Sequence, residues 1–343
     1  MTDSEILGVG KLPMELLHQL LERHGGHDDR VVVGPQIGED AAVLDMGDRY
    51  LVVKSDPITF ATDEIGRYVV HVNANDLATM GAQPRWLLLT LLLPERATSR
   101  SLVEAIMAQV AGTCRSLGIV LCGGHTEITY GLERPIAVGL MLGEVDKAAL
   151  VRTAGALAGD DVILTKGIAI EGTAVLAREL GDRLASRVGA GALARARRLL
   201  EEPGISVVRD AQIVQQAGRP HAMHDPTEGG LATGLWEMAL ASGKGIVVDL
   251  AQVPLLPVTR EFCDALGLDP MGLIASGALL VAAAPEESDR MVRHLQGAGI
   301  SASVIGRMVE GPPEVRVTSA SGLVPLRTFE RDELARVFES FRS

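Results

Sequence analysis

Aromatic side chains are nearly missing from this chain. Two Trp, three Tyr and five Phe in 343 residues amount to 3%. Its cores must therefore be filled by Ala, Val, Leu and Ile, within an apolar fraction of 47%. Cysteine is equally scarce: Cys114, Cys122 and Cys263 form no CxxC pair. Their odd number argues against a disulfide framework and suits a reducing cytoplasm. Positive charge is in deficit, with 32 basic against 44 acidic residues and a formal charge of −12. That balance argues against a duplex nucleic-acid binder or an anionic-membrane protein. It leaves room for a nucleotide, which needs only local donors and a metal. No apolar run is long enough to span a bilayer; 86–93 and 136–142 read as buried strands. The N-terminus shows no cationic segment followed by an apolar block, so no signal peptide is expected.

What is present is an alternation of strand-like and helix-like segments. Helical spacing of Leu12, Leu16, Leu17, Leu20 and Leu21 predicts a helix over 12–24, ended by Gly25-Gly26. Strands follow at 31–33, 41–44 and 50–53, with Met46-Gly47-Asp48 as a hairpin turn. Helices are expected over 64–80 and 99–117, the second stopped by Gly118, and a short strand over 119–122 leads into a Gly123-Gly124 turn. A strand over 135–144 closes the first half. The segment 146–159 reads as a junction, dividing the chain into domains 1–150 and 151–343, each mixing strands and helices. The fold class implied is a two-domain α+β or α/β protein.

Three carboxylates stand out at turns between apolar segments: Asp40 in Gly38-Glu39-Asp40, Asp56 in Lys54-Ser55-Asp56-Pro57, and Asp76 in Asn73-Ala74-Asn75-Asp76. Isolated carboxylates in such places are costly to desolvate unless a cation joins them. Taken singly, each is better read as a turn or cap residue. Three in one stretch favour a magnesium ion holding polyphosphate oxygens. Glycine-rich turns at Gly123-Gly124, Lys166-Gly167 to Gly172 and Gly229-Gly230 would let backbone N–H groups approach a phosphate. Each alone is weak, and Lys166 by itself reads as an exposed strand-end lysine. His221 and His224 are three apart, but Pro226 argues against a zinc site. Cys122 reads as a buried strand-end thiol.

Together the motifs resemble the aminoimidazole ribonucleotide (AIR) synthase superfamily, PurM-like in fold. The matching stretches are Gly38–Leu44, Ser55–Pro57, Asn73–Ala82 and Cys122–Glu127 in the first half. In the second half they are Lys166–Ala177, His224–Ala232 and Ser276–Leu280. Within these, Gly167–Ala174 and His224–Ala232 are most similar to the hydrogenase-maturation branch, HypE. The resemblance implies a PurM-like N-terminal domain whose sheet makes a homodimer, through the apolar 87–93 strand, and a PurM-like C-terminal α/β domain. It implies ATP in the cleft, with Mg2+ on Asp40, Asp56, Asp76 and Asp225. Asn75, Gly123, Gly124, Thr126, Lys166 and Gly167 would line the nucleotide, and His125 and Glu127 would be general base or substrate contact.

Departures from the branch bear on the substrate. Its Gly-Asp-Thr-Lys element is Gly124-His125-Thr126-Glu127 here, and one of its glutamates is Ser276. The sequence ends Glu339-Ser340-Phe341-Arg342-Ser343, with no cysteine after Cys263, where that branch carries a carbamoyl-bearing cysteine. The expectation is a cytoplasmic ATP-dependent enzyme that keeps the nucleotide chemistry and acts on a different small or protein-carried substrate. A genuine carbamoyl dehydratase with a maturation partner protein, a small-molecule kinase and a non-catalytic nucleotide-binding scaffold stand as alternatives.

Overall fold

The computed structural model describes every residue except 1–6, 8, 9, 11, 13, 37, 320, 321, 342 and 343. Of the terminal stretch singled out above, Arg342 and Ser343 thus lie outside the described residues. Two sheets organise the rest. The first contains β1 (Val31–Val33), β2 (Ala42–Asp45), β3 (Tyr50–Ile58), β4 (Gln83–Pro94), β5 (Val120–Thr129) and β6 (Ile136–Val145). Its spatial order is β1-β2-β3-β6-β4-β5, antiparallel except for the β4–β5 pair. The second contains β7 (Asp161–Thr165), β8 (Ala222–His224), β9 (Gly245–Val248), β10 (Leu280–Ala283), β11 (Ala302–Val309), β12 (Val315–Ser319) and β13 (Gly322–Pro325). Its order is β13-β12-β9-β11-β7-β10-β8, which leaves β8 at an edge. Two 3-10 turns, Lys147–Ala149 and Thr153–Gly155, carry the chain from one sheet to the other.

The helices in chain order are α1 (Met14–His24), α2 (Ile65–Thr79), α3 (Arg100–Leu117), α4 (Ile170–Glu179), α5 (Ala185–Val188) and α6 (Ala190–Arg198). They continue as α7 (Val208–Ala217), α8 (Gly230–Ser242), α9 (Pro257–Leu266), α10 (Pro285–Gly297) and α11 (Glu333–Ser340). Local chemistry sets the ends of α3. The Ser99 hydroxyl accepts from the Leu102 N–H at its start, and Gly118 ends it at a φ of 70° that only glycine adopts at little cost. No described helix is long and apolar enough to cross a membrane.

Helix α2 is the centre of the molecule. It packs on β3 and β6 on one side and on α7 of the second domain on the other, so nearly all of its residues are buried. A helix covered all round should be apolar, yet α2 holds Asn73, Asn75, Asp76 and Thr79 in its interior. Asn75 is a clasp between the domains: its Nδ2 donates to the Ile205 carbonyl and its Oδ1 accepts from the Val207 N–H, both at 2.8 Å. Both polar ends of the amide are satisfied without water, as burial demands.

Three expectations are corrected here. The Gly123-Gly124 stretch is no turn: β5 runs straight through it, pairing Gly123 with Leu88 and Gly124 with Leu89. A Cβ on Gly124 would lie 1.9 Å from the Leu89 carbonyl oxygen, so glycine there permits close strand pairing rather than a bend. The apolar strand 87–93 is not an edge. It lies inside β4, between β6 and β5, and its Leu89 and Leu91 are buried within one protomer. Lys166 is not exposed: it is buried at the end of β7, where its ammonium meets the Ser206 carbonyl at 2.6 Å and Asp210 at 3.1 Å.

Candidate active site

The three N-terminal carboxylates converge with a fourth from the second domain. Asp56 and Lys54 are two apart on β3 and so share a face of the strand. Asn73, on α2, fixes this stretch. Its Oδ1 accepts from the Asp56 N–H at 2.8 Å while its Nδ2 donates to the Val69 carbonyl at 2.9 Å and the Asp56 carbonyl at 3.2 Å. Gly139, opposite Asp56 on β6, leaves room for that amide, since a Cβ there would lie 2.5 Å from the Asn73 Nδ2. Asp76 follows Asn73 by three residues and so lies on the same face of α2. The Lys54 ammonium stands between the two carboxylates, 3.4 Å from Asp56 and 3.5 Å from Asp76.

Edge strand β8 brings in the second domain. His224 ends it and Asp225 follows. The His224 Nδ1 is 2.7 Å from Asp40, and its Nε2 is 2.9 Å from Glu237 on α8. Ligand atoms of Asp40, His224 and Asp225 lie within 4.8 Å of one another. Both ring nitrogens of His224 are committed to carboxylates, however, so it has no lone pair to offer a metal. It serves as an imidazolium that ties Asp40 to the second domain. Burial alone would lower its pKa, but Asp40 and Glu237 overcome that and raise it well above the ordinary histidine value.

The charges do not balance. Burial raises the pKa of Asp76 far above the carboxylate range against the pull of Lys54, and Asp225, Asp56 and Asp40 reinforce the rise. Asp225 is raised in the same way by burial and by Asp40, against His224 and Lys54. Lys54 is pushed the other way: burial opposes its charge, but Asp76, Asp56, Asp40 and Asp225 more than compensate and raise its pKa. Asp40 Oδ2, Asp76 Oδ2 and both oxygens of Asp225 are buried without a hydrogen bond. Buried acceptors left this way cost about 1–3 kcal/mol each, more if charged. A hard divalent cation fits the set: carboxylate oxygens from two domains, no thiol and no free imidazole. Such a cation would also displace the protons that burial favours on Asp76 and Asp225.

The other expected site residues are not gathered here. Asn75 is engaged in the domain clasp and Lys166 in its pair with Asp210, while Gly167 belongs to the turn between β7 and α4. Gly123, Gly124, His125, Thr126 and Glu127 lie on β5, three strands from β3, or about 14 Å at the usual strand spacing. His125 and Glu127 are exposed and pair with one another at 3.3 Å. Cys122, expected to be buried, is exposed on the same strand. Burial raises the thiols of Cys114 and Cys263 to about 11 and about 12, which keeps both protonated and unreactive. Four residues of the site carried no role in the sequence reading: Lys54, Asn73, His224 and Glu237. Lys54 and Asn73 do stand within the two segments that supply Asp56 and Asp76.

Beside Asp56 the two domains enclose a cavity of about 510 Å³ that also meets Glu171 of α4. Burial pushes the Glu171 carboxyl up to about 7, with Asp332 and Glu228 reinforcing the rise and Ser276 opposing it.

Known proteins with this arrangement place the chain. The model for the AIR synthase related protein N-terminal domain matches residues 38–145, and that for the C-terminal domain matches 158–318. The chain belongs to the AIR synthase related family. It is an enzyme of that family, near its hydrogenase-maturation members. A Methanocaldococcus jannaschii protein assigned to hydrogenase expression or formation is 30% identical over 80% of this chain and 80% of its own length. Carbamoyl dehydratase HypE of Cupriavidus necator is 30% identical over 74% of this chain and 70% of its own. A crystal structure of hydrogenase maturation protein HypE in complex with ATP superimposes with a TM-score of 0.71 at 24% identity, covering 93% of this chain and 96% of that one. At that identity the likeness speaks for the fold, the expected PurM-like two-domain architecture.

The raised carboxyl of Glu171 has a measurable consequence. Between its ordinary value of 4.5 and its folded value of about 7, the folded chain keeps a proton that the unfolded chain sheds. Stability attributable to Glu171 is therefore lost as pH rises through that window. Glu171→Gln removes the titration at nearly constant shape. From pH 5 to pH 8 its unfolding free energy should gain on that of the wild type by on the order of 3 kcal/mol, measured by urea denaturation of metal-free protein. A difference that does not change with pH would show that Glu171 titrates normally.

Proposed function

We propose that this enzyme uses Mg-ATP to transfer a phosphoryl group to an oxygen of its substrate, with the inter-domain carboxylate cluster as the metal and phosphate site. The observation that carries this reading is the set of buried oxygens without hydrogen bonds on Asp40, Asp76 and Asp225, brought from both domains around the single ammonium of Lys54. Asp40, Asp56, Asp76 and Asp225 would hold magnesium, which supplies charge neutralisation for the phosphates. The chain's own share is positioning. Asn73 fixes Asp56, His224 fixes Asp40, and Lys54 adds a cation beside the transferred group. One solved structure of this fold is a complex with ATP, which supports the reading.

A second reading has a specific observation behind it. The 30% identity to a carbamoyl dehydratase HypE favours a carbamoyl oxygen, carried on a protein by a maturation partner, as the phosphoryl acceptor. Product analysis separates the two, since only the carbamoyl reading leaves a cyano-modified protein beside ADP and phosphate.

Asp76→Asn keeps the side chain's shape and removes its charge. Mg-dependent ATP affinity should fall by about 10–100-fold, while circular dichroism shows a folded protein. Wild-type affinity by calorimetry in that variant would take Asp76 out of the site.

The same reading makes the protein a homodimer through β5. This strand is exposed on both faces, with Val120 and Ile128 57% and 58% accessible and Tyr130, just past its end, at 85%. A long unpaired edge of this kind is a template for pairing. Pairing two such edges would explain how Gly123 to Glu127, remote from the cluster of their own protomer, could act on a nucleotide held by the partner. Ile128→Asp should give monomers by light scattering where the wild type is dimeric at micromolar concentration. A monomeric wild type would refute the dimer.

A further inference from the structure

The family match ends at residue 318, before the last helix, α11, begins at Glu333. That added helix is nonetheless anchored along its length. Phe338 stacks on Phe60, just past β3 in the first domain, with ring centroids 6.4 Å apart. The Arg183 guanidinium donates to the Phe341 carbonyl at 2.7 Å and lies over the Phe341 ring. At the start of α11, Asp332 uses its two oxygens separately. Oδ1 accepts from the Leu334 N–H and Oδ2 from the Gly229 N–H, both at 2.7 Å.

Capping α11 needs only the first of these bonds, and Ser or Asn would supply it about as well. A carboxylate is costly to keep here. Burial raises the Asp332 carboxyl to about 6 against the pull of the Gly229, Leu334 and Ile274 N–H groups, and Glu228 adds to the rise. What its second oxygen supports is the start of α8. Gly229 opens that helix in the left-handed region at a φ of 79°, and no side chain of its own caps it. The Asp332 carboxylate does this from outside, at the positive end of the α8 dipole. Gly229 also stands between two parts of the metal site. Upstream is Asp225, followed by a turn in which the Thr227 carbonyl accepts from the Gly230 N–H at 3.0 Å. Downstream, α8 carries Glu237, which holds His224 and through it Asp40. We propose that Asp332 is a positioning residue of the phosphoryl-transfer site, bracing the turn 225–230 from the C-terminal helix so that Asp225 is held in place for the metal. The metal role of Asp225 rests on the reading above; the brace itself does not.

Asp332→Ser separates the brace from the cap. Ser caps a helix about as well as Asp, but its shorter side chain, with one oxygen, leaves the Gly229 N–H unpaired. The metal-free variant should be folded by circular dichroism, with amide hydrogen exchange over 227–230 at least about tenfold faster than in the wild type. Its Mg-ATP affinity by calorimetry should fall about tenfold. In an Asp225→Asn background the same substitution should cost less than about threefold, because the brace then has no charged ligand to place. Should Asp332→Ser fail to fold, Asp332→Asn gives the same cycle, with one carbonyl oxygen for two donors. Unchanged exchange in the folded variant would reduce Asp332 to a cap and overturn the brace. A full tenfold loss in the Asp225→Asn background would show that Asp332 does not act through Asp225, and would overturn the proposal as well. If Asp225→Asn itself binds Mg-ATP like the wild type, the metal reading fails instead, and hydrogen exchange alone decides the brace.

Discussion

An excess of buried negative charge governs this molecule. Asp40, Asp56, Asp76, Asp225 and Glu237 meet at the junction of two domains, with Lys54 and His224 as their cationic partners. No native core assembles such a group for stability, because desolvating carboxylates costs more than their pairing with two cations returns. The protein bears that cost in two ways. Burial and mutual repulsion favour protonation of Asp76 and Asp225, and several oxygens are left without partners. Both conditions are relieved by one event, the arrival of a divalent cation. A structural ion-pair network would show neither.

The rest of the fold follows from the need to hold these groups still. Helix α2 carries three consecutive tasks on its buried faces. Asn73 clamps the backbone of Asp56, Asp76 enters the cluster, and Asn75 clasps the second domain. His224 does for Asp40 what Asn73 does for Asp56, and it does so from the other domain. The cluster and the domain junction are thus built from the same side chains. A change that loosens the clasp should also loosen the site, since Asp56 and Asp40 are each held by a side chain from another element.

The sequence made the carboxylates legible because Asp beside glycine or proline, between apolar runs, has few structural explanations when it recurs. Asp40, Asp56, Asp76 and Asp225 do come together. The positions that misled were those whose meaning depends on tertiary context. Gly123-Gly124 has the composition of a turn, and only its pairing with β4 makes it a strand. Lys166 has the pattern of an exposed strand end, and only Asp210, more than forty residues on, shows it to be buried. Asn75 sits beside Asp76 in sequence but points a different way on the helix, so adjacency suggested a shared role that geometry does not grant. His224, three residues from His221, has the spacing of a metal ligand, and its actual work, tying Asp40 to Glu237, depends on a partner 184 residues away. Periodicity reports which face a residue lies on; it does not report what waits opposite.

The central claim is that the buried carboxylates are a metal site. Crystals grown with Mn2+ and a non-hydrolysable ATP analogue test it most directly, because manganese gives anomalous diffraction. The account predicts anomalous peaks at about 2.0–2.3 Å from oxygens of Asp40, Asp56, Asp76 or Asp225, bridged to phosphate oxygens. Phosphates bound elsewhere, with no anomalous density among these carboxylates, would contradict it.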